Sequence, residues 1–186
     1  MTNDLIQKFI LKDEDNFRIA STVGDVWPEV MEQIVDKLYD SLEARLKPKL
    51  KDWRFAREER FGIDAFPSFY FWRPEWKDEY GVCLQTGEYG KKVVMGVYRE
   101  TKILKKRRFC SELLEAVKVR FPTAHERRPW WEAEILVHSP ASDWRMPDAL
   151  WQIKTDDRIH LELAEQLLDL ARISEPYLRK MVRNKK

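Results

Sequence analysis

Three runs of strand-type residues lie in the middle of the chain, and helix-type patterns stand on both sides of them. The runs "SFYFW", "YGVCLQTG" and "KKVVMGVYRE" are rich in aromatic and β-branched residues, which favour strands. Gly87 and Gly90, in the segment "TGEYG", permit a tight turn between the second and third runs. The sequence therefore predicts three antiparallel strands connected as a meander.

Amphipathic helical patterns precede the strands. A first helix is predicted from Thr2 to Leu11, with apolar residues on one side. A second helix is predicted to start at Asp25 as its N-cap, with Pro28 tolerated in the first turn, and to end near Pro48. After the second helix comes "DWRFAREERFG", where Trp53 and Phe55 alternate with polar residues. This alternation predicts a strand, although "AREER" is also compatible with a helix.

Further helices are predicted after the strands. "KRRFCSELLEAVKVRF" and "MPDALWQIK" have helical spacing, and "WEAEILVH" between them reads as a strand. Thr155 or Asp156 is expected to cap a last helix. Pro176 is expected to kink or restart that helix, with Ser174 as a second cap.

The order of these elements predicts the fold class. Helices, a meander, a helix, a strand and a helix do not alternate as βαβ units, so we expect an α+β fold. A mostly antiparallel sheet of three or more strands should pack against several amphipathic helices. We expect a single domain over residues 1–186, with a helical N-terminal part (about 1–50) and the sheet and remaining helices in 51–186.

Charge and cysteine content narrow the classes of function. The 34 basic and 32 acidic residues leave a net charge of +2, so only a local patch could attract nucleic acid. Cys83 and Cys110 lie far apart and outside any CxxC motif, which indicates a reduced, cytoplasmic protein. No apolar run approaches the ~18 residues of a membrane span, so no membrane association is expected. The oligomeric state stays open.

One carboxylate constellation matches the ligand pattern of a metal-dependent nuclease. Asp64 precedes Glu75-Trp76-Lys77, and two carboxylates with a lysine can hold Mg²⁺ and orient a water. Pro74, directly before Glu75, interrupts a strand ladder, so this segment is better interpreted as a solvated loop at the rim of the sheet. We therefore expect no cofactor, and Mg²⁺ only if the nuclease alternative holds.

Two further carboxylate patterns in the sequence are weaker. Asp143 with "QIK" (152–154) gives a degenerate version of the same nuclease motif. In "WEAEILVH", alternation places Glu132, Glu134 and His138 on one side of a strand, where they could bind a metal. The simpler interpretation is the solvent face of a sheet that has helices behind it.

Basic and aromatic residues suggest a binding surface. Basic side chains neutralise phosphates, and exposed Trp side chains stack on bases or anchor protein interfaces. The candidate basic residues are Lys105, Lys106, Arg107, Arg108, Arg127 and Arg128. The candidate aromatic residues of an exposed, Trp-rich side are Trp72, Trp76, Trp130 and Trp144.

The segment "FPSFYFWRPEWKDEYGVCLQTGEYGKKVVMGVYRE", the "SDW" loop and the closing helix "LLDLARISEPYLRK" carry a family resemblance. From Phe61 onward the chain resembles the C-terminal, non-catalytic half of PD-(D/E)XK-superfamily proteins of bacterial and phage hypothetical type. The resemblance implies an accessory or recognition domain without the catalytic half, and no catalytic residue is carried over. We therefore expect a non-catalytic interaction domain for a protein or nucleic-acid partner, acting in phage–host conflict or in nuclease regulation; the alternative is a divergent Mg²⁺-dependent nuclease.

Overall fold

The computed structural model describes residues 3–58, 66–76, 79–87, 92–99, 109–127, 129–138 and 142–183. The helices in these segments are α1 (Asn3–Ile10), α2 (Glu14–Leu46), α3 (Ser111–Arg120), α4 (Pro147–Thr155) and α5 (Asp157–Arg183). The strands are β1 (Arg54–Glu58), β2 (Ser68–Trp72), β3 (Tyr80–Thr86), β4 (Val93–Arg99), β5 (His125–Arg127) and β6 (Trp131–Leu136). The predicted α+β class is confirmed.

All six strands belong to one antiparallel sheet, in the order β1-β2-β3-β4-β6-β5. The predicted meander forms its centre, because β2, β3 and β4 pair in sequence order. The strand predicted after Trp53 is β1, which pairs with β2. β5 lies in a segment for which the sequence predicts no strand. Three residues are too few to show the alternation that identifies a strand in sequence.

Helices α3, α4 and α5 and the part of α2 from Met31 onward form the layer that packs against one face of the sheet. Side chains alternate between the faces of a strand, and Phe69 and Phe71 of β2 join Val82 and Leu84 of β3 in the core beneath the helices. On β1, Arg57 contacts Asp40 of α2 through an ion pair and thereby ties the edge of the sheet to that helix. The helical side chains buried in this core include Leu38, Leu42 and Leu46 of α2, Leu113 and Val117 of α3, Leu150 and Ile153 of α4, and Leu163, Leu167 and Leu170 of α5.

Helix α2 begins earlier than the sequence predicted. Its N-cap is Asp13 instead of Asp25, and Oδ1 of Asp13 accepts a hydrogen bond of 2.9 Å from the backbone N–H of Asn16. Pro28 therefore lies in the helix interior, where its missing N–H removes one hydrogen bond to Gly24. The helical spacing of apolar residues continues on both sides of Pro28, so the helix tolerates this single loss.

Helix α5 also passes through a proline. It runs on through Pro176, so the predicted restart is wrong, and the hydroxyl of Ser174 donates to the carbonyl of Ala171 (3.2 Å) instead of capping a new helix. The predicted cap at Asp156 is confirmed, because Oδ1 of Asp156 accepts from the backbone N–H of Arg158 (3.0 Å). Neither α5 nor any other helix in the described segments has the length and apolar character that crossing a lipid bilayer requires.

A β-bulge interrupts the pairing of β4 with β6. Val97 lies opposite Ala133, but the next residue, Tyr98, lies opposite Trp131. Glu132 is therefore an extra residue on β6, and the alternation of side chains changes phase at this point. As a result, Trp131 shares the face of Tyr98, and Glu132 turns to the side that the helices cover.

The carboxylate of Glu132 is buried in an ion pair. Its Oε1 lies 3.0 Å from Nη1 of Arg99, and its Oε2 accepts from the backbone N–H of Cys110, at the start of α3 (2.9 Å). The guanidinium of Arg99 stands 4.1 Å from the ring centroid of Phe109. Burial raises the pKa of the Glu132 carboxyl, although the Cys110 amide and Arg99 act in the opposite direction. The expected solvent face is therefore wrong for Glu132, and Glu134 is buried as well.

Candidate functional site

The nuclease motif is not brought together within the described residues. Asp64 and Lys77 lie outside those residues. Glu75 lies on a 3-10 turn (Pro74–Trp76) and not on a strand, and its half-exposed carboxylate is 3.9 Å from Nη1 of Arg73. This position agrees with the rim interpretation. The nuclease alternative stays a prediction, which a plasmid-nicking assay with Mg²⁺ and a Glu75→Ala control would test.

The degenerate nuclease motif, Asp143 with residues 152–154, lacks the strand that such a motif requires. Gln152 and Lys154 lie on helix α4, where residues two positions apart point in different directions. The ammonium of Lys154 stands 4.8 Å from the ring centroid of Trp151. The carboxylate of Asp143 accepts hydrogen bonds from its neighbour Arg145.

The metal site considered on β6 is also excluded by geometry. The bulge sends Glu132 to the helix side, whereas Glu134 stays on the opposite face with Arg127 (3.2 Å) and His125 (3.5 Å) as its partners. Across the segments that the structure describes, no three His, Cys, Asp or Glu side chains are grouped so that they could hold a metal ion.

The predicted basic surface falls largely outside the described residues. Lys105, Lys106, Arg107, Arg108 and Arg128 lie there, so nothing is stated of their structure. Arg127 is described: it sits on β5, and its guanidinium is paired with Glu134. Trp130 is exposed beside it, and its carbonyl accepts from the backbone N–H of Arg99 (2.8 Å).

Two of the predicted surface tryptophans belong to the core. Trp76 is fully buried and meets Trp53 edge to face, with the ring centroids 4.9 Å apart. Trp144 is also fully buried, with its ring 6.1 Å from that of Tyr39. Both expectations of exposure are wrong, because the turns that carry these residues fold back against the helix layer and large aromatic side chains contribute most when fully buried.

The sheet has a second face, opposite the helices, which we call the open face. It carries a smaller cluster of packed side chains, and all of them come from strands. Within the described residues, no helix contributes a side chain to this cluster. Its members are Tyr70 (β2), Cys83 (β3), Val94 and Tyr98 (β4), and Trp131 (β6).

A pocket of about 250 Å³ lies on the open face, and we call it the aromatic pocket. The rings of Tyr70 and Trp72, two residues apart on β2, stack with centroids 4.9 Å apart and an angle of 17°. They stand on the same side of the strand because of its alternation. The residues that line the pocket are Glu58, Ser68, Tyr70, Trp72, Tyr80, Gly81, Cys83, Gln85 and Tyr98.

Two polar groups lie beside these rings: the carboxylate of Glu58 and the indole N–H of Trp72. The carboxylate of Glu58 accepts a hydrogen bond of 3.0 Å from the hydroxyl of Tyr70. The indole N–H of Trp72 is buried without a hydrogen-bond acceptor in the part of the chain that is described. A buried donor of this kind is stabilised when a ligand supplies an acceptor. The aromatic pocket therefore combines a negative charge with aromatic faces, and the indole N–H of Trp72 is buried beside them.

Cys83 is the nucleophile candidate of the pocket, and its environment suppresses its reactivity. Burial raises the pKa of the Cys83 thiol far above its ordinary value, and the nearby Glu58 carboxylate raises it further. A thiolate is the reactive form of cysteine. The side chain is therefore a protonated, weakly polar part of the pocket wall at neutral pH.

We expect Cys83 to react at least tenfold more slowly than Cys110 with a thiol reagent such as Ellman's reagent. Cys83 is buried and Cys110 is only partly buried, although burial also raises the pKa of the Cys110 thiol. Single-thiol variants, Cys110→Ser and Cys83→Ala, assign the two rates. A Cys83 rate equal to that of an unfolded control would contradict the described environment.

The residues that sequence reasoning missed are Glu58, Tyr70, Cys83 and Tyr98. The signal for Tyr70 was present, because alternation along "SFYFW" separates Phe69 and Phe71 from Tyr70 and Trp72. Tyr98 and Trp131 share a face only through the bulge, which alternation does not predict.

No family model, no curated protein and no solved structure matches this chain.

Proposed function

We propose that this chain is a non-catalytic interaction domain that binds a protein partner through the open face and holds a basic side chain of that partner in the aromatic pocket. One observation carries the proposal: the rings of Tyr70, Trp72 and Tyr98 line the same pocket as the carboxylate of Glu58. A role in nuclease regulation or phage–host conflict follows from the family resemblance alone.

The chemistry of the pocket favours a cation. Aromatic faces attract a guanidinium or ammonium group within about 6 Å of the ring centroid. A carboxylate adds a charge-assisted hydrogen bond, which is stronger than a neutral one. Glu58 supplies that carboxylate beside the stacked pair of Tyr70 and Trp72.

The size of the pocket favours one side chain over a large ligand. Pockets for drug-sized molecules and cofactors have volumes of about 300–1,000 Å³. The aromatic pocket, at about 250 Å³, is smaller. A long basic side chain can enter it with its stem along the rings.

A protein partner is favoured over nucleic acid by charge. Glu58 lines the aromatic pocket on the open face, and carboxylates repel phosphates. Arg127, a basic residue at this end of the sheet, is already paired with Glu134. Nucleic-acid binding through the basic segment 105–108 stays a prediction, for which retention that falls with salt is the test.

The absence of a reactive nucleophile at Cys83 supports a binding role over chemistry. Its thiol is protonated at neutral pH for the reasons given above, so it is not prepared for attack on a substrate.

The test is a titration followed by the indole N–H signals in ¹H–¹⁵N NMR spectra. The probes are N-acetyl-arginine amide and N-acetyl-lysine amide, with N-acetyl-norleucine amide as an uncharged control and oligo-dT as the nucleic-acid control. We expect the Trp72 indole signal to shift with the basic probes. Glu58→Gln should weaken that binding about tenfold, since a charge-assisted contact becomes neutral.

Trp130→Phe is the matched control, because Trp130 is exposed outside the aromatic pocket. It should leave the titration unchanged. Equal binding of norleucine amide, or no effect of Glu58→Gln, would reject the cation assignment. Saturable binding of oligo-dT at the same Trp72 signal would assign the pocket to nucleic acid.

A further inference from the structure

The N-terminal arm, which we define as α1 and the part of α2 up to Val30, exposes an unusual amount of apolar surface. The core takes side chains of α2 only from Met31 onward. Before that point, ten large apolar side chains are exposed to about half of their surface: Leu5, Ile6, Phe9, Leu11, Phe17, Ile19, Val23, Val26, Trp27 and Val30. Nothing among the described residues covers them.

Four of these side chains form a continuous seam along α2. Ile19, Val23, Val26 and Val30 follow each other at spacings of four, three and four residues. This is the heptad spacing of a coiled coil, in which the side chains of one helix pack into those of another. Pro28 lies on the opposite side of the helix by the same spacing, so its missing N–H does not interrupt the seam.

We propose that the arm is a dimerisation element, and that the seam of one chain packs against the seam of a second copy about a twofold axis. Each chain would contribute its α1–α2 pair, so that two arms form a four-helix bundle. A twofold interface needs one surface that matches itself, and a heptad seam is such a surface. This inference rests on the arm alone and is independent of the proposed function of the open face.

The exposed apolar area of the whole arm is of the size that a dimer interface takes. An aromatic side chain has roughly 150–250 Å² of surface and an aliphatic one less, so ten half-exposed side chains offer somewhat under about 1,000 Å² per chain. A standard interface takes about 800 Å² from each partner. Only four of the ten lie on the seam, so the proposed bundle must also bury the exposed Leu5, Ile6 and Phe9 of α1.

The residues beside the seam favour a second copy over a charged foreign partner. The flanking heptad positions are held by Ala20, Thr22, Trp27 and Glu29, of which only Glu29 is charged. Rows of charge at these positions select oppositely charged partners and oppose self-pairing. Their near absence leaves self-pairing unopposed.

The test is sedimentation equilibrium of the full chain, with a double variant Val23→Glu/Val30→Glu. We expect the wild type to be a dimer at about 10 µM and the variant to dissociate at least 100-fold more readily, since four buried carboxylates would face one another. Ser21→Glu, which places the same charge on the far side of α2, is the matched control and should remain a dimer. Circular dichroism melting confirms that all three are folded.

Disulfide cross-linking is a second test, and it does not require the interface to be weakened. Val23→Cys should form a disulfide-linked dimer under mild oxidation, and Ser21→Cys should not, because a side chain on the seam of two parallel helices meets its own copy and position 21 points away from the seam. A wild type that is monomeric at 100-fold higher concentration would overturn the proposal. So would a dimer that survives the double variant, or a monomer whose arm binds anionic lipid vesicles instead.

Discussion

Replacing Arg99 by Met is expected to lower the free energy of unfolding by about 3–5 kcal/mol at neutral pH. Arg99 and Glu132 are both buried, and their contact is 3.0 Å. Met fills a similar volume, so the main loss is the positive charge beside the carboxylate. Glu132 would keep the Cys110 amide as its hydrogen-bond donor but no described cation.

The loss should depend on pH in a defined direction. Burial already raises the pKa of Glu132 in the folded protein, and Arg99 holds it down. Without Arg99, the folded-state pKa rises further above the unfolded value of about 4.3. The folded state then binds a proton more readily than the unfolded state, so stability falls as pH rises through the folded-state pKa. The effect of Arg99→Met should therefore be smaller at about pH 5 than at about pH 8.

Urea unfolding at both pH values measures these differences. The double variant Arg99→Met/Glu132→Leu should recover most of the lost stability, because a buried ion pair can be replaced by apolar side chains with little net effect. Arg18→Met removes an exposed partner of Glu14 and serves as the control, with an expected change of about 0.3–0.5 kcal/mol. An equal loss at both pH values would show that Glu132 is not the group responsible.

Helices and strands could be predicted from the sequence wherever the periodic spacing of their apolar residues repeats several times. The meander, α3, α4 and α5 follow from alternation and from helical spacing, and both need only local residues. The start of α2 was misplaced because Asp25 and Pro28 together resemble a helix start, while the stronger cap at Asp13 lies twelve residues upstream. The sequence offers both positions as helix starts, and Asp13 is the one whose side chain accepts a hydrogen bond from a backbone N–H in the first turn.

The candidate site was harder to predict, for a physical reason that Glu132 and Trp131 illustrate. One inserted residue on β6 exchanges the faces of the side chains that precede it, so a rule of strict alternation puts Glu132 with Glu134 and in solvent. Whether a bulge forms depends on the pairing partner β4, which is distant in sequence. Trp76 was misassigned in a similar way, since its burial depends on packing against Trp53 and not on its neighbours in the chain.

Replacing Gly96 by Ala is expected to destabilise the protein by about 3 kcal/mol, at the upper end of the usual range for overpacking. Gly96 lies on β4, on the open face, directly across from β6. A Cβ at this position would stand 2.1 Å from the carbonyl oxygen of Ala133 and 2.9 Å from Cε3 of Trp131. The first of these atoms belongs to the backbone of the neighbouring strand, so the strands would have to separate before the methyl group could fit.

Gly81 and Gly24 provide graded controls for the steric clash expected at Gly96. A Cβ at Gly81 would meet the carbonyl of Phe71 at 3.2 Å, a contact that a small shift relieves, so Gly81→Ala should destabilise less than Gly96→Ala. A Cβ at Gly24 meets nothing within 4 Å, and Gly24 lies inside α2. Gly24→Ala should therefore stabilise the helix by about 0.5–1 kcal/mol. Thermal and urea unfolding rank the three variants. If Gly96→Ala lowered the stability as little as Gly81→Ala, Trp131 would not lie over β4. The open face would then have a different shape from the one that positions Tyr98 beside the aromatic pocket.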